Sequence, residues 1–144
     1  FRTTDVTASQ ANTEYVITFD APVHAEGITR GSPTSRLVFV EGGEFVFSFT
    51  AQLYSSSAST KTFYFWPKIN GSTAANASSI RAQLHSNAST TVVSRSTIFN
   101  VDAGDYLEVA YAFSDTNASL KAFSATSFAP ITPSTTLSIS RISG

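Results

Sequence analysis

The chain contains no cysteine and no methionine. Disulfides and thiolate metal centres are therefore excluded, and the redox compartment leaves no mark on the sequence. Charge is scarce as well: Asp, Glu, Lys and Arg make up 13% of the 144 residues and sum to a formal net charge of −1. Without a basic stripe, the long-range attraction that brings nucleic acid or an anionic membrane to a protein is missing, so neither is an expected partner. No apolar run approaches the roughly 18 residues that span a bilayer, and a soluble protein is expected. The two histidines, His24 and His85, have no second ligand at a metal spacing. There is no paired-carboxylate pattern, Gly-x-Ser-x-Gly elbow, phosphate loop or dinucleotide fingerprint. No enzymatic activity, cofactor or metal is expected. Asp102, Asp105, Glu108 and Asp115 offer oxygen ligands of the kind calcium takes, but without the dense spacing of a calcium loop.

What is present is hydrophobic and aromatic. Hydrophobic residues reach 42%, with twelve Phe, so a chain of this length can bury a core without staples. One domain, 1–144, is expected. Its surface must be built from Ser, Thr and Asn. Nearly every apolar stretch alternates with a period of two, favours β-branched and aromatic residues, and ends in Gly, Pro, Asn or Ser. Strands are predicted at 14–20, 36–40, 44–53, 61–69, 80–85, 91–101, 105–113, 119–124 and 135–142. Short antiparallel strands at this spacing predict an all-β protein, a two-sheet sandwich or jelly roll. Polar surface loops are expected around 54–60, 72–79 and 114–118.

The strands differ in their second faces. Residues 44–53 alternate Phe45, Phe47 and Phe49 with Val46, Ser48, Thr50 and Gln52, as a strand with one wet side does. In 61–69, Phe63 and Phe65 alternate with Tyr64 and Trp66, so both faces are aromatic. In 105–113, Leu107, Val109 and Tyr111 alternate with Tyr106, Glu108, Ala110 and Ala112. The expected core is therefore Phe45, Phe47, Phe49, Phe63, Phe65, Leu107, Val109 and Tyr111. The expected subunit interface is Tyr64, Trp66, Tyr106, Glu108, Ala110 and Ala112, since aromatic and small residues concentrate where surfaces meet. Asn70-Gly71 predicts a type I′ hairpin, and Gly104 with Asp105 a tight entry into the following strand.

The order of these landmarks, "YVITFDAP", "RLVFVEGGEFVFSFTAQL", "FYFWPKING" and "TIFNVDAGDYLEVAY", resembles the complement globular-head and tumour-necrosis-factor-like jelly-roll superfamily. The matching residues are Phe19, Gly43, Phe45, Phe47, Lys68, Asn70, Gly71, Gly104 and Asp105, and they span nearly the whole chain. The resemblance implies a jelly roll of about nine or ten strands and a homotrimer whose threefold axis is lined by the inner sheet. The Ser/Thr-rich, low-charge composition and the tail "SDTNASLKAFSAT" look like domains of tailed-bacteriophage virion proteins. A structural virion protein is therefore expected, a capsid decoration or fibre knob on the virion surface, contacting other virion proteins and a host-surface glycan. The competing expectation is a carbohydrate- or ligand-binding recognition head of the same fold outside a virus, with Tyr54 beside "SSS" as a stacking residue. Asn70, Asn76, Asn87 and Asn117 each begin an Asn-x-Ser triplet, which marks exposed loops.

Overall fold

A computed structural model describes residues 1–20, 27–73, 79–85 and 89–143. His24, Asn76 and Asn87 lie outside the described residues. The strands are β1 (Val6–Thr7), β2 (Tyr15–Val16), β3 (Ile28–Arg30), β4 (Leu37–Phe39), β5 (Gly43–Ser55), β6 (Lys61–Ile69), β7 (Ser72–Thr73), β8 (Ile80–Leu84), β9 (Thr90–Val101), β10 (Tyr106–Phe113), β11 (Ala118–Leu120) and β12 (Thr135–Ser143). Among the described residues there is no helix, and every strand pairing is antiparallel.

Two sheets form. In the first, β5 is central: β9 follows one edge along its length, and the other edge is shared end to end by β12 and β11, with β1 beyond β11. In the second, β10 and β6 are central. Strands β4 and β2 share the outer edge of β10, β3 lies beyond β4, and β8 and β7 share the outer edge of β6.

Alternation decides what lies between them. Phe45, Phe47, Phe49, Ala51 and Leu53 of β5 are buried, as are Phe63 and Phe65 of β6 and Leu107, Val109, Tyr111 and Phe113 of β10. All belong to one buried cluster. Phe39 packs on Phe45 with ring centroids 4.8 Å apart and Phe49 on Phe65 at 5.2 Å, so each pair ties one sheet to the other. Side chains of this size contribute roughly 2–3 kcal/mol each through burial. The Tyr111 hydroxyl satisfies itself by donating to the Thr7 carbonyl at 2.7 Å, and its desolvated ring stacks on Tyr15 at 5.6 Å.

Pro67 sits inside β6, where a missing N–H would ordinarily break a ladder. Its partner in register is Val109, whose carbonyl accepts from the Ile17 N–H at 2.9 Å on the far side of β10. Val109 and Pro67 therefore form a non-hydrogen-bonded pair. On the other side of β6, the β8 ladder ends at Phe65 and the β7 ladder begins at Lys68. The missing donor falls in that gap.

The described residues form twelve strands, where the sequence reading placed nine. The additional ones, β1, β3 and β7, are two or three residues long, too short to show a period. Two predicted strands shrink: 14–20 to Tyr15–Val16 and 119–124 to Ala118–Leu120.

Candidate functional site

The outward face of the second sheet carries the six residues expected at an interface. Tyr64 is 38% exposed, and Trp66, Tyr106 and Ala112 are half-buried. Glu108 and Ala110 are different, at 8% and 0% exposed. Ala110 lies in register between Trp66 and Val16, and Glu108 accepts from the Ser35 hydroxyl at 2.7 Å. Their burial needs no second subunit. Around them the face is laced with charge: the Arg36 guanidinium stands 4.2 Å over the Tyr106 ring and 3.9 Å from Glu108, Lys68 pairs with Glu14 at 3.0 Å, and Arg81 is in register with Tyr64.

At one end of this sheet the two predicted turns are joined. Asn70 and Gly71 both have positive φ, 52° and 83°, as a two-residue I′ hairpin requires. The Asn70 amide then donates to Asp105 Oδ1 at 2.8 Å, and its carbonyl accepts from the Tyr106 N–H at 3.0 Å. Asp105 Oδ2 accepts from the Asp102 N–H at 2.8 Å. The Asn70 amide and the Asp102 N–H together hold the Asp105 carboxyl below its ordinary range. This clasp joins two turns separated by 35 residues.

The opposite end is held by Lys61, whose side chain is 0% exposed. Its ammonium donates to the Ser59 hydroxyl and reaches Asp115 Oδ2 at 3.3 Å. Asp115 also accepts from the Asn117 N–H at 2.7 Å, and that bond, with the Lys61 ammonium beside it, holds its carboxyl below the usual carboxylate range. The expected loops 54–60 and 114–118 thus form one braced unit, with Ser56 N–H donating to the Asn117 carbonyl at 3.0 Å. Tyr54 is half-buried with the Lys121 ammonium 5.6 Å from its ring centre, and His85 faces Thr60 Oγ1 at 3.1 Å. Three of the four carboxylates weighed for calcium have other partners: Asp105 bonds Asn70, Glu108 bonds Ser35 and Asp115 pairs with Lys61. Among the described residues no three His, Cys, Asp or Glu side chains are grouped to hold a metal ion.

The first sheet presents a face of another kind. Outward positions read Val46, Ser48, Thr50 and Gln52 on β5, Val92, Ser94, Ser96 and Ile98 on β9, and Thr136, Ser138 and Ser140 on β12. None of these is charged. Ser48 and Ser96 hydroxyls bond at 2.7 Å, and Val46 lies opposite an exposed Ile98. The two arginines in the flanking strands occupy core-side registers: Arg95 opposite Phe49 and Arg141 opposite Phe45. They turn to the rims, Arg95 to the Ser79 carbonyl at 2.6 Å and Arg141 to Glu41 at 2.8 Å and the Gly42 carbonyl at 3.0 Å. Among the described residues, Glu44 at the start of β5 and Lys121 beside the Tyr54 ring bring charge to the two ends of this face. Reading strand by strand missed this surface, because its alternate Ser and Thr look like ordinary solvated positions. Its signal lies in three strands sharing the same absence of charge.

No protein-family model matches the chain, and no curated protein matches it.

Proposed function

We propose that the chain is a non-enzymatic structural module of a bacteriophage particle, a homotrimeric tumour-necrosis-factor-like jelly roll that decorates the capsid or forms the knob of a fibre. The observation that carries this reading is the uncharged outward face of β9, β5 and β12. A solvated sheet face ordinarily carries Lys and Glu, which also guard against unwanted pairing. A face of Ser, Thr, Val and Ile can instead lie against copies of itself, because hydroxyls donate and accept alike and no charge has to be desolvated. The second edge of β9, which pairs with no strand among the described residues, supports the same reading: twelve residues without a bulge or proline, with Arg95 as the only charge. Left open, such an edge would template aggregation. The chain winding also favours the jelly roll: β4, β5 and β6 alternate between the sheets, and so do β8, β9, β10 and β12.

This reading assigns subunit contacts to the first sheet, the inner sheet of the trimer, and leaves the charge-laced Tyr64 and Trp66 face outward. Its partners are two further copies of the chain and other virion proteins, and its location is the virion surface. Light scattering after size exclusion tests it. The expected result is a mass three times 15.3 kDa that persists on dilution. Ser48→Glu, which sets a charge at the centre of the face, should give a folded monomer. A wild-type monomer at every concentration would overturn the trimer and the virion reading built on it.

A further inference from the structure

Trp66 and Tyr64 are outward positions of β6 separated by one residue, so their rings stand about 7 Å apart along one face of the strand. They form two sides of an open trough of 370 Å³, with Ala112 at its floor and Asn12, Ser79 and Ile80 around it. No charged side chain lines it. The Trp66 indole N–H, the Tyr64 hydroxyl, the Asn12 side-chain amide and the Ser79 hydroxyl are the polar side-chain groups of its lining residues. Asn12 is held at the rim by its backbone, with φ of 54° and its N–H donating to the Phe113 carbonyl at 2.8 Å, which places its side chain beside the trough.

From this we infer that the trough is a binding site for a neutral saccharide. The volume falls within the range of small-ligand sites, about 300–1,000 Å³. A flat aromatic surface accepts the apolar C–H face of a pyranose ring, and the ring's hydroxyls then meet the amide, hydroxyl and indole groups around it. The lining side chains are neutral, which suits a neutral sugar, and Arg81 stands in register with Tyr64 beyond them. A peptide is disfavoured by the backbone: β6 is an interior strand flanked by β10 and β8, and its one unpaired stretch contains Pro67, which has no N–H to donate. Strand addition, the usual way an extended peptide gains affinity, has no edge here. The site lies on the sheet opposite the proposed subunit contacts, so the two inferences can fail separately.

Trp66 is the only tryptophan in the chain, so its emission reads occupancy of the trough directly. The experiment titrates the purified full chain with neutral gluco-, galacto-, manno- and N-acetylhexosamine oligosaccharides, one class at a time. A saturable change in Trp66 emission with one class is the expected result. Tyr64→Ala should weaken that binding by about tenfold through loss of one stacking ring. Asn12→Gly keeps the positive φ and removes the amide, and should weaken binding by a smaller factor, about threefold. Phe128→Ser, on the exposed loop before β12, should leave it unchanged. Flat emission with every class, or binding indifferent to both Tyr64→Ala and Asn12→Gly, would overturn the inference. So would emission that shifts with protein dilution and not with sugar, which would assign the trough to a second copy of the chain.

Discussion

The clasp between Asn70 and Asp105 gives a sharp test of how the two turns hold the second sheet. Asn70→Ala removes a charge-assisted bond to Asp105 and the acceptor for the Tyr106 N–H, and puts Ala at a φ of 52°. The two bonds are exposed, so each belongs at the lower end of its range, about 1 kcal/mol. The left-handed backbone adds about 1 kcal/mol for a residue with a Cβ and no side-chain bond to compensate. The expected loss is about 3 kcal/mol, or roughly a 10 °C fall in melting temperature for a chain of this size. Asn70→Gly keeps the turn geometry and should lose about 2 kcal/mol, isolating the backbone term. In a double-mutant cycle with Asp105→Ala, the shared bond should appear as a coupling of about 1 kcal/mol. Urea unfolding followed by Trp66 fluorescence and far-ultraviolet circular dichroism measures all of these, and agreement between the two signals checks that one transition is observed. A coupling within the additivity scatter of about 0.3–0.5 kcal/mol would refute the clasp.

The same carboxyl sets an acid limit. Asp105 is lowered in the folded state by Asn70 and then Asp102, so the unfolded chain binds its proton first as pH falls. Its stabilisation is complete above the ordinary Asp value near 4 and is lost between there and its lower folded value; Asp105→Asn should flatten that part of a stability profile measured by urea unfolding. At the other end, Asp115→Ala strands the buried Lys61 ammonium and should cost about 3 kcal/mol, while Lys61→Met combined with Asp115→Ala should recover most of it in thermal melts. Phe49→Ala, in the core, should cost about 3–5 kcal/mol, whereas Phe128→Ser, at a position 89% exposed on the loop before β12, should stay within about 0.5 kcal/mol in the same assay.

Period-two alternation made the long strands legible: 61–69 matches Lys61–Ile69, and 44–53, 91–101, 105–113 and 135–142 differ from the observed bounds by no more than two residues. These strands alternate over at least eight residues, enough to distinguish a period of two from chance. The stretch 119–124 misled because Lys121 and Phe123 continue the pattern, while Lys121 N–H donates to Gln52 and Phe123 pairs instead with Thr132. The type I′ turn was legible because Asn-Gly states its own φ requirement. The bond from Asn70 to Asp105 was not, since it depends on how two hairpins pack. Neither was the burial of Glu108, whose hydroxyl partner Ser35 lies 73 residues away.

The scarcity of charge gains meaning from where the charges lie. A chain with 9 basic and 10 acidic residues could distribute them evenly over both sheets. Instead Arg36, Glu108, Lys68, Glu14 and Arg81 gather on one outward face, and Arg95 and Arg141 extend to the rims from core-side registers beside the other. Two arginines in core register cost burial that Leu or Val would have supplied, so placing them there instead of outward makes sense if the outward positions must stay neutral. Exchanging Arg95 with its outward neighbour Ser94, Ser94→Arg with Arg95→Val, keeps net charge and size nearly constant while moving the charge across the strand. If the neutral face serves assembly, this swap should leave the melting transition of the isolated chain intact and dissociate the trimer in light scattering. If the swapped chain still forms the same trimer, the distribution of charge is incidental and the contact surface lies elsewhere.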